Sequence, residues 1–508
     1  MVETNGSSSS SSTQIDKASS SFLKLDTVPC VLDNKPWEGL SNTYDLKDPH
    51  SEDGKVLYKV QCVNADEAIK AVESAAKAFK TWKNVSAFAR RAIFLKALNL
   101  LEERKDEYVN LVVQETTGNQ FWGVVDWQLG WNVISETAAI ATALHGSIVP
   151  SEHGQRAYVE RVPYGVVLGI SPWNAPFVLG VRAFANAIMA GNTVVFKTSE
   201  FSPKIHTFAA QLFADAGLPE GVLNLIHVAP QDAPAVIENI IAHPAVRKLN
   251  FTGSTVTGSK IAQVAAKYVK PCVMELGGKA PLIIMKDANL KAAANAAVFG
   301  GLSHSGQICM SSDGIVIHED VADEFIKVLS GLISDRKAAA NPEGFTDWRG
   351  LFSKVHADRV SGLIKDAIDK GAKVVVGRQQ TDYNVVQPVV LEGTTPEMRI
   401  YTEEIFGPAL TLTRFKTNEE AIEIANRSEY GLAASIYGSN ETECFAIAQE
   451  IESGQVHING ATVHDTQVVP HGGLKKSGYG RFNGIEGLRE FTTTKTITIN
   501  PVHDQYPM

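Results

Sequence analysis

Alternating strands and helices predict an α/β fold for this 508-residue chain. Short apolar runs such as Val166–Ile170 fit buried parallel strands, and they are followed by helical stretches such as residues 175–190, which stops at Gly191-Asn192. The alternation starts after Pro163 and resumes beyond Gly278, which indicates two α/β units. The chain length agrees with two units, because a single hydrophobic core is rarely found in more than about 250–300 residues.

Periodicity and chain breakers predict the individual elements in order. Asn64 with Glu67 fits a capping box that opens a helical region, and Ser86 fits the cap of a second helix before the pattern breaks at Gly118-Asn119. Further helices are predicted over 128–144, 175–190, 203–216, 235–242, 293–302 and 325–334. Strands are predicted over 166–170, 193–196, 222–226, 246–251, 281–285, 314–317, 374–376 and 409–412.

Two more segments are predicted to be exposed strands. Residues 156–162 fit one arm of a hairpin, and residues 494–499 alternate apolar with polar side chains. Strand edges of this kind often pair with another subunit.

Composition excludes several classes of protein. A net charge of −9 without any Lys/Arg cluster argues against a nucleic-acid partner, and no apolar run reaches membrane-spanning length. The five cysteines show no zinc-ligand spacing, so no metal site is expected, and reduced thiols in the cytoplasm are the simplest interpretation. The serine-rich start predicts a disordered lead over residues 1–21.

One cysteine stands out for its surroundings. Cys309 follows Glu275 by thirty-four residues, and Gly277-Gly278 come directly after that glutamate. A thiolate is a strong nucleophile, and a nearby carboxylate can activate the water that releases a thiol-bound intermediate. A glycine pair lets backbone approach backbone or a ligand closely. The combination predicts covalent thioester chemistry, whereas Cys309 alone would more often be a small buried apolar residue.

Six motifs in order resemble the NAD(P)-dependent aldehyde dehydrogenase superfamily, from about residue 25 to the C-terminus. They are Ser171-Pro172-Trp173-Asn174, Lys197-Thr198-Ser199-Glu200, Phe251-Thr252-Gly253-Ser254-Thr255, Glu275-Leu276-Gly277-Gly278-Lys279, Gly306-Gln307-Ile308-Cys309 and Glu403-Glu404-Ile405-Phe406-Gly407-Pro408. Within that superfamily, Pro172-Trp173-Asn174-Ala175-Pro176 and Gly180-Val181-Arg182-Ala183 resemble the branch that oxidises salicylaldehyde, benzaldehyde and vanillin.

The resemblance implies a division of the chain into three parts. A Rossmann-type NAD-binding domain would comprise residues 22–145 and 163–277, an α/β catalytic domain residues 278–485, and a small β oligomerisation element residues 146–162 and 486–508. It also implies a homodimer or homotetramer.

The resemblance implies the catalytic roles as well. Cys309 would attack the aldehyde, Asn174 would donate to the developing oxyanion, and Glu275 would activate the water that hydrolyses the thioester. On sequence alone Asn174 could instead cap the helix that follows it.

The cofactor is expected to be NAD, with NADP possible. Ribose hydroxyls would donate hydrogen bonds to Glu200, which is close to Lys197 along the chain. Without the resemblance, Lys197 and Glu200 would fit an ordinary surface ion pair. The pyrophosphate would lie at the helix start after Gly253-Ser254, and the nicotinamide half beside Glu404 and Phe406, with Ser171 and Trp173 nearby.

Candidate walls of the substrate pocket follow from the same resemblance. Arg182 could orient the aldehyde or a ring substituent, or it could be an ordinary surface arginine. The other candidates, which core packing explains almost as well, are Trp122, Ile308, Met310, Val469 and His471.

We therefore predict oxidation of an aldehyde, preferably aromatic, to its carboxylic acid through a cysteinyl thioester. The alternatives are an aliphatic aldehyde or semialdehyde substrate, a non-catalytic structural protein on the same fold, or a thiol esterase that needs no cofactor.

Overall fold

The computed structural model describes residues 22–151, 155–334, 336, 338–339 and 348–500. The predicted disordered lead, residues 1–21, lies outside the described residues, as does the end of the predicted oligomerisation element from residue 501. The helices of the described part include none with the length and hydropathy needed to span a bilayer.

The first α/β unit is built on a mostly parallel sheet. In spatial order its strands are Gly478–Tyr479, Cys272–Glu275, Val246–Thr252, Val166–Ile170, Thr193–Lys197, Leu223–Ile226, Val31–Leu32 and Lys35–Pro36. The strands from Cys272–Glu275 to Leu223–Ile226 run parallel to one another. Neighbours such as Val167 and Leu168 pack into different apolar cores on the two faces, as the two-residue period of a strand requires.

Helices cover both faces of this sheet. One face packs against Ala65–Trp82, Ala233–Ala242 and Thr255–Lys267. The other packs against Pro176–Met189 and Pro203–Asp215, with Ala87–Glu103, Lys105–Glu115 and Gln120–Ala139 contributing to the same core.

Local capping chemistry explains where several helices begin. The capping box of Asn64 and Glu67 and the cap at Ser86 are confirmed. The helix predicted over 128–144 is wrong in its bounds and spans Gln120–Ala139 instead. Asn119, taken from the sequence only as a breaker, accepts the Trp122 N–H and thereby caps that helix.

The second unit starts where the chain crosses to another sheet through residues 276–279. The strands of this sheet, in spatial order, are Lys373–Gly377, Val389–Glu392, Ala409–Phe415, Ser312–His318, Ala280–Ile284, Ala433–Tyr437 and Gln455–Ile458. Only Lys373–Gly377, among these strands of the described chain, runs antiparallel to its neighbour. The helices of this part are Leu290–Leu302, Glu319–Ser334, Lys354–Asp369, Arg399–Thr402, Asn418–Asn426 and Glu441–Glu450.

Smaller sheets lie outside the two units. Both segments are confirmed as strands, because Arg156–Pro163 pairs on one side with Ser147–Pro150 and on the other with Thr492–Ile499, antiparallel in each case. Thr492–Ile499 is largely exposed as predicted, whereas Arg156–Pro163 is the central strand and mostly half-buried. The remaining small sheets are Thr27–Val28 with Val56–Gln61 and Thr43–Lys47, Thr381–Asp382 with Val385–Val386, and Tyr430–Gly431 with Leu474–Lys475. The helix Gly484–Arg489 precedes the last strand.

A buried carboxylate fixes the start of the helix Pro176–Met189. Asp126 accepts the backbone N–H groups of Phe177 at 3.1 Å and Val178 at 3.0 Å, and it also accepts the Tyr108 hydroxyl. Burial raises the pKa of Asp126 to about 6, although these hydrogen bonds favour the charged form. Asp126 therefore anchors the backbone just after Asn174.

We expect Asp126→Ala to lower the free energy of unfolding by roughly 3 kcal/mol, because two buried N–H groups lose their acceptor. Calorimetry would show this as a lower melting temperature. Tyr108→Phe is the matched control, since it removes one hydroxyl from the same carboxylate and should cost only about 1 kcal/mol. Equal losses in the two variants would contradict the anchoring role.

Candidate active site

A cleft of about 600 Å³ opens at the carboxyl ends of the parallel strands of the first sheet, where residues of the second unit form its other wall. Its lining combines loops that follow the strands Val166–Ile170, Val246–Thr252 and Cys272–Glu275 with residues from later in the chain. Eight of the residues predicted from the sequence meet there: Trp173, Asn174, Gly253, Ser254, Glu275, Cys309, Glu404 and Phe406.

Cys309 is held by a strained turn and by a close backbone contact. His304 and Ser305 have left-handed φ angles of 50° and 55°, and the chain then turns at Gly306 towards Cys309. A side chain at Gly278 would collide with the Cys309 carbonyl oxygen. The absence of a Cβ at Gly278 thus lets Cys309 lie against the end of the strand that carries Glu275.

The electrostatic surroundings of the Cys309 thiol favour its protonated form. Burial raises the pKa of this thiol well above its usual value, and the nearby negative charges of Glu275 and Glu404 raise it further. The charge of Arg182 acts in the opposite direction. Nucleophilic attack by this sulfur therefore requires a group that takes its proton, and Glu275 is the carboxylate with the largest influence on it.

Glu275 is the last residue of its strand and is fully buried. Neither carboxylate oxygen accepts a hydrogen bond of ordinary geometry from the residues that the structure describes. Its nearest basic group is His471, whose Nε2 lies 4.0 Å from Oε1. A buried carboxylate without hydrogen bonds is costly, and such groups are common at functional sites.

Asn174 is held next to the cysteine loop rather than at the cap of the helix that follows. Its side-chain Nδ2 donates to the Gln307 backbone carbonyl at 3.0 Å. The backbone carbonyl of Asn174 accepts the Trp122 Nε1–H at 2.8 Å. The following helix has Ala175 at its cap position, without a side-chain cap bond. An amide nitrogen carries two hydrogens, so the second can donate into the cleft.

Glu404 and Phe406 are positioned by the glycine pair and by a helix of the second unit. Glu404 accepts the Gly278 N–H at 2.9 Å, and burial raises the pKa of this carboxyl to about 7. Phe406 has a left-handed φ of 50°, and its carbonyl accepts from His356 Nε2 at 2.7 Å. Arg359 donates to the Glu404 carbonyl at 3.1 Å.

Phe352, His356 and Arg359 also line the cleft, although none of them belongs to a motif predicted from the sequence. His356 and Arg359 lie on one helix, Lys354–Asp369, at a spacing of three residues that places them on a common face. That spacing is the only local signal, and many surface helices show it.

The lining fits a dinucleotide. Ser254 caps the helix Thr255–Lys267, whose first residues border the cleft, and N–H groups at a helix start favour phosphate. Trp173 packs against Phe352 with ring centres 4.2 Å apart and lies 6.2 Å from the Phe406 ring. The Glu404 carboxylate could accept hydrogen bonds from ribose hydroxyls. These are the groups expected around NAD(P).

The residues predicted for the adenosine side lie farther along the same sheet edge. Lys197 and Glu200 form an ion pair at 3.4 Å, and Glu200 lines an adjoining depression of about 290 Å³ that shares Trp173 and Phe352 with the main cleft. Ser171 is buried, and its hydroxyl donates to the Pro172 carbonyl at 3.4 Å.

Arg182 is a buried residue rather than a surface arginine. Its Nη2 lies 2.5 Å from Asp465 Oδ2, and Asp465 also accepts from Asn483 Nδ2 at 2.7 Å. The sequence offered no signal for Asp465, which is 283 positions away along the chain.

The other predicted pocket residues fall into two groups. Trp122, Ile308 and Met310 are buried in one apolar cluster against which Cys309 packs. Val469 is about half exposed and His471 is fully buried, and neither lines the cleft formed by the described residues. His471 instead lies behind Glu275.

Comparison with known proteins places this fold and cleft in a family. Residues 37–497 match the aldehyde dehydrogenase family. The chain is 41% identical to a vanillin dehydrogenase from Pseudomonas sp. (strain HR199 / DSM 7063), over 95% of this chain and 99% of that protein. It is 39% identical to a salicylaldehyde dehydrogenase from Pseudomonas sp. (strain C18), over 93% and 98% of the two chains.

A crystal structure of a salicylaldehyde dehydrogenase from Pseudomonas putida G7, complexed with salicylaldehyde, superimposes with a TM-score of 0.91. It shares 38% sequence identity and covers 95% of this chain and 99% of its own. The chain belongs to the aldehyde dehydrogenase family and is an NAD(P)-dependent oxidoreductase that acts on aldehydes.

Proposed function

We propose that this protein oxidises aromatic aldehydes to carboxylic acids through a thioester on Cys309. The observation that carries the proposal is the meeting of Cys309, Glu275 and Asn174 in one cleft whose remaining lining suits a dinucleotide. The thiol esterase and structural alternatives have no need of that lining.

The first step is attack by the Cys309 sulfur on the aldehyde carbon. The thiol proton passes to Glu275, and the carbonyl oxygen becomes an oxyanion. The Asn174 amide, with the Cys309 backbone N–H, stabilises that charge, and one such donor contributes about 3 kcal/mol. The interaction with Gln307 holds the Asn174 amide in place before the aldehyde arrives.

Bound NAD(P) supplies the acceptor for the hydride that leaves the former aldehyde carbon. Trp173, Glu404 and Phe406 would hold its nicotinamide half, and Gly253 and Ser254 would bind its phosphates. Lys197 and Glu200 would bind the adenosine ribose. Ser171 would also contribute to the cofactor site. Glu200 favours ribose hydroxyls over a 2′-phosphate, and hence NAD over NADP.

Glu275 first releases the thiol proton to solvent through the cleft that it lines, which restores its charge, and it then acts on water. Its carboxylate removes a proton from a water molecule, whose oxygen bonds to the thioester carbon, and the carbon–sulfur bond breaks to release the acid. Glu275 lies close enough to Cys309 to raise the pKa of its thiol. It is therefore well placed to act on a water molecule next to the thioester carbon.

An aromatic substrate is supported by the relatives named as vanillin and salicylaldehyde dehydrogenases. It is also supported by the apolar residues Trp122, Ile308 and Met310 around the nucleophile, since flat rings favour aromatic and apolar walls. The Arg182–Asp465 pair adds one buried polar group that could orient a ring substituent.

We infer the three-part domain division predicted from the sequence, and a homodimer or homotetramer. The crossing between sheets at residues 276–279 supports the boundary at 277. The antiparallel sheet of Ser147–Pro150, Arg156–Pro163 and Thr492–Ile499 supports self-association, because Ile148, Val149, Ile497 and Ile499 are exposed on it.

The substrate assignment is tested by comparing kcat/KM for benzaldehyde-type aldehydes with that for short aliphatic aldehydes and a semialdehyde. We expect kcat/KM to be at least about tenfold higher for the aromatic compounds, because a few extra contacts with a ring stabilise the transition state by that much. A preference for the aliphatic compounds would contradict the aromatic assignment but not the family.

Cys309→Ala should abolish aldehyde oxidation, with a loss of roughly 10⁴-fold or more, because no other group can carry the acyl intermediate. NAD binding, followed by protein fluorescence, should remain within about twofold of the wild type. Cys272→Ala is the matched control, since that thiol lies outside the cleft and should be dispensable. Appreciable turnover by Cys309→Ala would refute the nucleophile.

Native mass spectrometry should find two or four copies of the 54.9 kDa chain. Ile148→Glu should shift the population towards smaller species, because a charge at the exposed sheet would have to be buried on association. Val269→Glu, at another exposed apolar residue, should leave the mass unchanged. A wild-type protein that stays monomeric at micromolar concentration would contradict the assembly.

A further inference from the structure

Two buried polar groups behind the nucleophile face each other without a hydrogen bond. Glu275 Oε1 and His471 Nε2 are 4.0 Å apart, and both side chains have no solvent exposure. Neither atom has a hydrogen-bond partner in the part of the chain that the structure describes. Because unpaired buried polar atoms are costly, this juxtaposition requires an explanation.

The second ring nitrogen determines what His471 presents to Glu275. His471 Nδ1 lies 3.1 Å from Gln455 Oε1, and the Gln455 amide nitrogen donates to the Pro470 carbonyl at 3.5 Å. An amide oxygen can only accept, so Nδ1 carries the proton in the neutral ring. Nε2 then presents a lone pair to the carboxylate. Two acceptors cannot bond to each other, but with one added proton a small side-chain shift would let them form a hydrogen bond.

The surroundings can hold such a proton as a positive charge. Asp465 lies close enough to His471 for charges on the two to interact, and Glu275 lies 4.0 Å from the His471 ring. Burial pushes the pKa of Asp465 upwards, but nearby positive charge, mainly that of Arg182, and hydrogen bonds from Arg182 and Asn483 together lower it. Asp465 is therefore an anion near the His471 ring.

We propose that His471 is a positioning residue for Glu275 whose Nε2 takes up the proton that Glu275 removes from the hydrolytic water. One O–H bond of water breaks and its oxygen bonds to the thioester carbon, while the proton moves to Glu275 and then to Nε2. The carbon–sulfur bond breaks, Cys309 leaves as a thiolate, and the carboxylic acid is released. Glu275 is thus charged again, and once the acid has left the cleft the proton returns through Glu275, which lines the cleft, to solvent.

This role also serves the next turnover. A protonated Glu275 could not take another proton, so while the thioester and the cofactor fill the cleft the base needs an acceptor within the protein. With His471 behind it, Glu275 has an acceptor on the side away from the thioester. The inference rests on the proposed function, since it requires the Cys309 acyl intermediate and Glu275 as its base.

The test follows the acyl-enzyme directly. Enzyme is acylated with benzaldehyde and NAD, freed of aldehyde by rapid gel filtration, and quenched at intervals for intact-protein mass spectrometry. We expect His471→Phe to slow the decay of the Cys309 adduct by roughly 10- to 100-fold, less than the 10²- to 10⁴-fold that a complete positioned base supplies. In a Glu275→Gln background the same substitution should change the decay by less than about twofold, because its effect runs through Glu275.

Two further variants separate proton uptake from packing. His471→Gln keeps a hydrogen-bonding side chain without its basicity and should also decay slowly. It carries the test if His471→Phe fails to fold. His318→Phe is the matched control, since His318 is a largely buried histidine of the second unit that does not line the cleft. It should decay like the wild type.

The outcomes are distinguishable. No acyl adduct on Cys309 of Glu275→Gln, in which hydrolysis is slow and the adduct should accumulate, would refute the proposed function itself. An adduct that decays in His471→Phe or His471→Gln at the wild-type rate would refute only the proton uptake by His471. If His471→Phe slowed the decay of the adduct as much in the Glu275→Gln background as in the wild type, His471 would act by packing. That outcome would overturn the inference as well.

Discussion

The active site depends on how closely the chain passes between its two sheets. Residues 276–279 leave the strand that ends at Glu275 and enter the first strand of the second sheet. A Cβ at Gly277 would meet the Glu404 carboxylate, and one at Gly278 would meet the Cys309 carbonyl oxygen. Only backbone without side chains can pass there. The base, the nucleophile and a cofactor-facing carboxylate are consequently brought together by one tight crossing.

That crossing concentrates negative charge in a poorly solvated place. Burial raises the pKa of the Cys309 thiol well above normal and that of Glu404 to about 7, and Glu275 adds to both effects. The Arg182–Asp465 pair and His471 supply the nearby balancing groups. These surroundings therefore favour the protonated form of the nucleophile, and proton movement becomes as important to catalysis as the position of the sulfur.

Hydrogen-bonded groups outside the cleft fix the positions of Asn174 and the cysteine loop. Asp126 anchors the helix that follows Asn174 through two backbone N–H groups. Gln307 joins the cysteine loop to the segment before the helix Lys354–Asp369 by accepting the Phe352 N–H at 2.9 Å, and its backbone carbonyl accepts from the Asn174 amide of the first unit. Each support is a buried polar group with its hydrogen bonds made, so it specifies one geometry instead of several.

The sequence by itself determined the α/β class, most elements, the family resemblance and the residues Cys309, Glu275 and Asn174. These follow from local periodicity, caps and short motifs, which are properties of neighbours along the chain. Only the tertiary structure decided that Arg182 pairs with Asp465, that His356 and Arg359 support the cofactor wall, and that His471 lies behind Glu275 rather than on a pocket wall. Those contacts join residues up to some 280 positions apart, and no local pattern encodes which distant side chains the packing of two sheets will bring together.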